Sequence, residues 1–523
     1  MLLGTIGLAT QAGLWYADNV NLQTYADAAS TTGAVGIASG ETATQFKASA
    51  RYVLGQNGLV NGQNGVTITI NSPPATGPNS TNSNAVEVIV TKPEGLTLAG
   101  LFLRSAPTEW VRSVATYGST ASTCALALGQ NLGGGNTGQF TMSGGASLTA
   151  SGCAVSSNST DPNAFYIKPS PTVTAYTIVS SGGVTSSCGQ GPTGCGSTLT
   201  LTKPYSQNHV ATADPLAATQ NVTLPTPSNF SNTTASCGSN NITFAQWNST
   251  VALTPGSVYC ALSEPGTNGI TFPNTGGTYT FAGNVSLNGT SAITSAGTAA
   301  AATVYVNGSL SLSNYNPSQL PAGTYHITNG LTITSSSATS VAYSSLPSTF
   351  YINGNLSISG SAAVDIPPGT YFINNGNLLV GGSGSLTCNS CVAGGAGVTF
   401  VLMGSSAGYV DVSGSSPVTF SAPANNNYSS GFNGIAFYEV PTDTSTNKLQ
   451  GSGSLTFQGA FYAPGAVLDI SGAAGTSTAT CAVYIANTIT ISGSGYASSS
   501  QCQAYGYGWT TSGPTPNGVT IVE

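Results

Sequence analysis

Between positions 119 and 512 the chain carries eight acids, Asp161, Asp214, Glu264, Asp365, Asp411, Glu439, Asp443 and Asp469, and three basic residues, Lys168, Lys203 and Lys448. Cleavage of a glycan needs clustered carboxylates, or a carboxylate with a bound metal and a base. The best available pair is Asp411 and Asp469, which occupy the same outward slot of a repeated strand phrase and could project from one face. That slot is otherwise Ser or Thr, so a solvated outward carboxylate is the plain reading. The histidines are His209 and His326; His326 follows Tyr325 in a strand and reads as packed or surface-exposed instead of as a base. The one Gly-x-Ser-x-Gly match, Gly404-Ser405-Ser406-Ala407-Gly408, precedes a strand and has no His after it, which removes the nucleophile elbow. No Gly-rich loop ends in Gly-Lys-Ser or Gly-Lys-Thr, so a nucleotide site is unsupported. The reading is of a protein that is not an enzyme, with no catalytic, cofactor-binding or metal-binding residue assigned.

Ten cysteines fall into couples that are close in sequence: Cys124 with Cys153, Cys188 with Cys195, Cys237 with Cys260, Cys388 with Cys391, and Cys481 with Cys502. An even count without accompanying metal ligands argues for disulfides formed outside the cytoplasm. Cys388-Asn389-Ser390-Cys391 also admits a redox motif or half a zinc site. There is no second such spacing and no thioredoxin-like βαβ context, so a loop-closing disulfide is preferred.

These residues hang on a phrase that recurs through the second half: apolar, polar, apolar, small polar, Gly or Asn. Copies lie at 285–289, 310–314, 331–334, 356–360, 410–414, 468–472 and 489–493, often 21 to 25 residues apart. Period-two alternation makes each copy a short strand with one inward face, and the terminal Gly or Asn permits the turn. The spacing is about one coil of a β-solenoid, in which Val304, Val306, Leu310 and Leu312 stack under equivalents such as Phe350, Ile352, Leu356 and Ile358. Asn307, Asn353, Asn374 and Asn375, beside turn glycines, suit left-handed backbone or stacked amides.

Composition fits an exported chain of this class. Of 523 residues 40% are hydrophobic, enough for a long core, but only 4% are charged, so hydroxyls and amides must wet the surface. A formal charge of −7 spread this thinly cannot neutralise a row of phosphates, which excludes nucleic acid as a partner.

Residues 1–16 (MLLGTIGLATQAGLWY) carry no charge and read as an apolar helical anchor or filament core, with Leu2, Leu3, Ile6, Leu8, Leu14, Trp15, Tyr16, Leu22 and Tyr25 as its contact residues. About 20 residues cross a bilayer, so this segment is slightly short. Gly7-Leu8-Ala9, Leu14-Trp15-Tyr16, Leu22-Gln23 and Tyr25-Ala26-Asp27-Ala28-Ala29 together resemble the amino-terminal signature of the TadE/TadG-like pilus-assembly proteins of bacterial tight-adherence (Flp-type) systems. Cys124-Ala125-Leu126-Ala127-Leu128, Gly152-Cys153-Ala154-Val155, Pro321-Ala322-Gly323-Thr324-Tyr325, Pro368-Gly369-Thr370-Tyr371 and Gly459-Ala460-Phe461-Tyr462-Ala463-Pro464 extend the likeness over nearly the whole chain. Gln11 stands near the place where that family often has an acid. The match to a metal-binding Asp-x-Ser-x-Ser, Asp411-Val412-Ser413-Gly414-Ser415, lies inside the strand phrase, so metal-dependent adhesion is not carried over.

The fold expected is mainly β: a hydrophobic helix (1–45), a small pilin-like α+β module (46–118), a long parallel β-helix or β-solenoid (119–507) with a looser segment at 204–250, and a tail (508–523). The resemblance implies an exported structural protein of a surface pilus or filament, or of its assembly apparatus, in the cell envelope or outside it. Its partners would be copies of itself or other pilus-assembly subunits, with the membrane reached through the first helix. The alternative is a surface protein that binds or cleaves polysaccharide, for which Tyr428, Tyr438 and Tyr462 are the candidate exposed ladder.

Overall fold

The computed structural model describes residues 2–522 except 39–40, 81, 102, 106, 118–122, 130–138, 190–191, 194–195, 209–210, 231–235, 296–300, 315–317, 336–339, 344–345, 416, 451–454, 473–478 and 508–518. Two compact units result, residues 1–121 with 514–523, and residues 122–513.

In the first unit the uncharged start opens α1 (Leu2–Ala38), which is followed by α2 (Ala43–Gln56). A capping box opens α2, Thr42 and Gln45 exchanging bonds so that two orphan N–H groups are satisfied. Strands β1 (Thr67–Asn71), β2 (Ala85–Pro93) and β3 (Thr108–Tyr117) pair antiparallel in that order. The fourth strand is Val519–Ile521, which pairs antiparallel with β3, so the tail completes this sheet. Leu22, Ala26, Ala29 and Ala34 of α1 join Phe46, Ala50 and Leu54 of α2 and Val86, Val88 and Val90 of β2 in one core. Gln11 is buried and fixed: its amide donates to Gly95 O (2.9 Å) and its oxygen accepts from Thr97 Oγ1 (2.7 Å) and Ala99 N (3.0 Å). No helix among the described residues is long and apolar enough to cross a membrane. The stripe Leu22, Ala26, Ala29 and Ala34 of α1 is buried against α2 and the sheet of its own unit. Of its expected contact residues, Leu22 is buried, Trp15 and Tyr25 are half-buried, and Leu14 and Tyr16 are 58% and 74% exposed. The side chains of Leu2, Leu3, Ile6 and Leu8 lie outside the described ones.

The second unit is a parallel β-solenoid of about 12 turns. Each full coil contributes a strand to each of three faces. Face A includes Ala302–Val306, Gly323–Ile327, Ser348–Asn353, Gly369–Asn374 and Val398–Met403; face B includes Leu310–Asn314, Leu331–Ser335, Leu356–Gly360 and Leu378–Val380; face C includes Ser318–Leu320, Ser340–Tyr343 and Ala363–Asp365. The alternation sets the register. Val304, Tyr325 and Phe350 stack, as do Leu312, Ile333 and Ile358. Inside face A the rings of Tyr325, Phe350 and Tyr371 lie parallel, with centroids 4.4 and 4.5 Å apart, and Tyr325 and Tyr371 give their hydroxyls to the carbonyls of Pro321 and Pro367. At the turns Asn375 is left-handed (φ 51°) and Asn374 Nδ2 donates to Asn353 Oδ1 (2.8 Å).

The coils are not stacked in sequence order. The strand Thr123–Ala127 pairs on one side with Ser147–Ser157 and on the other with Ala482–Ile491, near the end of the unit. From there the chain builds outward through Thr172–Ser180 to Thr198–Leu201. It then leaves the stack, and the coils resume at Val258–Tyr259 and return to close against Thr123–Ala127. The two ends of the solenoid chain thus meet inside the stack at a seam that no peptide bond crosses.

Four disulfides join the expected couples Cys124–Cys153, Cys237–Cys260, Cys388–Cys391 and Cys481–Cys502. Cys188 is also disulfide-bonded, and Cys195 lies outside the described residues. These bridges fit an oxidising, exported compartment.

Candidate functional site

Side chains that point outward from a β-solenoid strand are normally small and polar, because they face water. On face A they include Tyr305, His326, Tyr351 and Phe372, consecutive in register across four coils. Their rings stack, with centroids 4.5, 4.9 and 5.4 Å apart and interplanar angles of 14°, 16° and 7°. The ladder continues through one edge contact, Phe372 with Tyr428 (4.6 Å), and two tilted ones, Phe432 with Tyr438 (5.2 Å) and Tyr438 with Tyr462 (6.0 Å).

The segment that leaves the stack covers this ladder as a strap. Ser206 bridges Val179; Thr212 exchanges two bonds with Asn158; Thr223 O accepts from the Tyr428 hydroxyl (2.9 Å); and Cys237 is bonded to Cys260. Taken in chain order, these contacts run from one end of the stack to the other. Two short 3₁₀ turns, Ala217–Asn221 and Pro227–Phe230, fit the strap to the ladder, and Phe230 sets its ring edge-on to Tyr351 at 5.7 Å.

Two polar locks lie beneath it. Tyr462 gives its proton to Asp214 Oδ2 (2.7 Å) and accepts from Gln220 Nε2 (2.5 Å). Burial raises the Asp214 carboxyl above its ordinary range, opposed by the bonds from Tyr462 and from Leu216 N; burial and the facing Asp214 charge raise the Tyr462 phenol. His326 Nδ1 lies 2.5 Å from Asn229 O, which places the proton on Nδ1, and burial holds this imidazole below its usual pKa against that bond.

Of the candidate ladder, Tyr438 and Tyr462 are in register and covered, at 1% and 0% exposed, whereas Tyr428 stands outside the strands and is half-buried. Asp411 and Asp469 do share one outward column of face B, with Lys448 in the slot between them. Two strand spacings, about 9.6 Å, separate their backbones, and Lys448 fills the space in which a pair of carboxylates would hold a sugar. Glu439, one of the eight acids, has no role that its residue type alone discloses. It occupies an inward slot, in register with Leu402, where neighbouring coils carry Ile373, Ile352 and Ile327. It is 0% exposed; Oε2 accepts from Asn447 Nδ2 (2.9 Å), while Oε1 and the nearby Asp443 Oδ2 have no partner. Burial, helped by the Asp443 charge and opposed by Asn447, pushes its carboxyl up to about 8, so it is a neutral acid at pH 7. Strand parity from Phe437 carries the signal for this inward position.

The strapped ladder is therefore a built feature of the molecule, an aromatic column that is stacked, hydrogen-bonded and covered by its own chain. No protein-family model matches this chain, and neither a curated protein nor a solved structure matches it.

Proposed function

We propose that this is an exported structural protein of a surface pilus or filament, or of the apparatus that assembles it, which acts by holding a stiff stack outward and by self-association. The observation that carries the reading is the closure of the stack. About 12 turns with one continuous core are held by strap, seam and disulfides, and such redundancy resists pulling and proteolysis, whatever passes over the surface. The outer residues are mostly hydroxyls and amides, a coat that changes little with pH because so few groups titrate. The first unit supplies the contact surface for other subunits: α1 leaves Leu14, Tyr16, Val20 and Val35 exposed, and apolar side chains in water are the usual start of an interface. The resemblance to TadE/TadG-like proteins points the same way.

Antibodies raised against the solenoid and applied to intact cells test the location. Decoration of the cell exterior supports the filament; signal only after the envelope is opened contradicts a filament subunit and favours the assembly apparatus.

A further inference from the structure

Between the strap and the corner joining faces A and B runs a groove of about 670 Å³. One wall is the strap, with Pro227 and Phe230; the other is a column of turn amides, Asn353, Asn374 and Asn375, finished by Ser405. We propose that this groove binds a neutral, extended, β-linked oligosaccharide whose chain runs along the stack.

Three features carry the assignment. The lining contains no charged side chain, so an anionic or cationic ligand would lose its hydration without gaining a counter-ion, a far larger cost than desolvating the hydroxyls of a neutral ligand, which amides can replace. The two walls differ in chemistry, the exposed ring of Pro227 over the largely buried Phe230 on one side and amides with a hydroxyl on the other, and a pyranose has the same two-sided character, with apolar C–H faces and a rim of hydroxyls. The amides also repeat. Asn353 Nδ2 donates to Thr328 O (3.1 Å), Asn374 Nδ2 donates to Asn353 Oδ1 (2.8 Å), and Asn375 Oδ1 accepts from Ser406 N (3.1 Å). These bonds fix the column and leave further donor and acceptor capacity on each amide. Successive coils are about 4.8 Å apart, close to the advance of one sugar along an extended β-linked chain, so successive residues of such a ligand would meet successive coils. Gly404 keeps the space open: a Cβ there would press on the side chains of both Asn374 and Asn375.

The test is titration calorimetry of the full chain with cellohexaose and with chitohexaose, using oligogalacturonate as the charged comparison. We expect at least one neutral hexasaccharide to bind at one site per chain. Asn374→Ala should weaken it by about tenfold or more, and so should Ser405→Leu, which fills the exposed rim with a side chain that neither hydrogen-bonds nor stacks. Ser357→Ala, outward on face B, should leave it unchanged. Ser405 is exposed, so its variant keeps the test valid even if Asn374→Ala fails to fold. No binding of either neutral sugar, tighter binding of oligogalacturonate, or unchanged affinity in Ser405→Leu would each overturn the assignment.

Discussion

Glu439 stands where the coils before it place Leu402, Ile373 and Ile352, and its carboxyl is pushed up to about 8 from an ordinary 4.5. Between those two values the folded chain keeps a proton that the unfolded chain has released. The contribution to stability is therefore full below about pH 4.5 and is lost as pH rises through 8. We predict that the thermal midpoint of the solenoid falls from pH 5 to pH 9, and that Glu439→Gln flattens this slope. At pH 9 the variant should be the more stable protein, by a few kcal/mol at most, since each pH unit between the folded and unfolded values corresponds to about 1.4 kcal/mol. Parallel pH profiles for the two proteins would refute the burial argument. A second residue-scale prediction concerns Tyr462. Replacing it with Phe takes the partner from Asp214 Oδ2 and from the Gln220 amide, which costs about 1 to 3 kcal/mol. Hydrogen exchange should quicken at Leu216–Asn221 and stay slow in Ser348–Asn353; equal acceleration of both would mean that the lock belongs to the core.

At the scale of elements, the strap is a length of chain with few strands, tied down at intervals. Its far end is pinned by Cys237–Cys260 and by Asn240, whose side chain donates to Val258 O and whose carbonyl accepts from Cys260 N. The double variant Cys237→Ser, Cys260→Ser should let protease cut between 231 and 249 while the stack survives, seen as one new cleavage site with an unchanged circular dichroism spectrum. Resistance equal to that of the parent would show that the hydrogen bonds alone hold this end. Strands and strap differ in how readily the sequence discloses them. Leu310-Ser311-Leu312-Ser313 announces its strand, its inward face and its neighbours one coil away, because alternation and spacing are local facts. The order of coils is not local. Pairing of Ile485 with Leu126 joins residues more than 350 positions apart, and any two coils stack by the same inward aliphatic pattern, so no residue marks where the seam will be. The strap shows itself only as Asn, Thr, Ser and Pro runs at 204–250 that break the alternation, and what it covers cannot be read from them. The outward aromatics are visible as Tyr351 and Phe372 in strand positions, yet their stacking needs the register.

For the whole molecule, the solenoid is an insertion in the first unit, since β3 precedes it and Val519–Ile521, the partner of β3, follows it. Removing Val519–Glu523 should lower the unfolding transition of the first unit, whose sheet loses an edge strand, and leave that of the solenoid in place; a single transition that shifts as a whole would contradict two separately packed units. What this assembly is for is tested by shearing native cells, pelleting the released material, imaging it by cryo-electron microscopy and sequencing the chain within it. We expect surface filaments that contain this protein, with Leu14, Tyr16 and Val20 of α1 buried between subunits. Sheared material that lacks the protein, with the chain left behind as single molecules, would contradict a filament role.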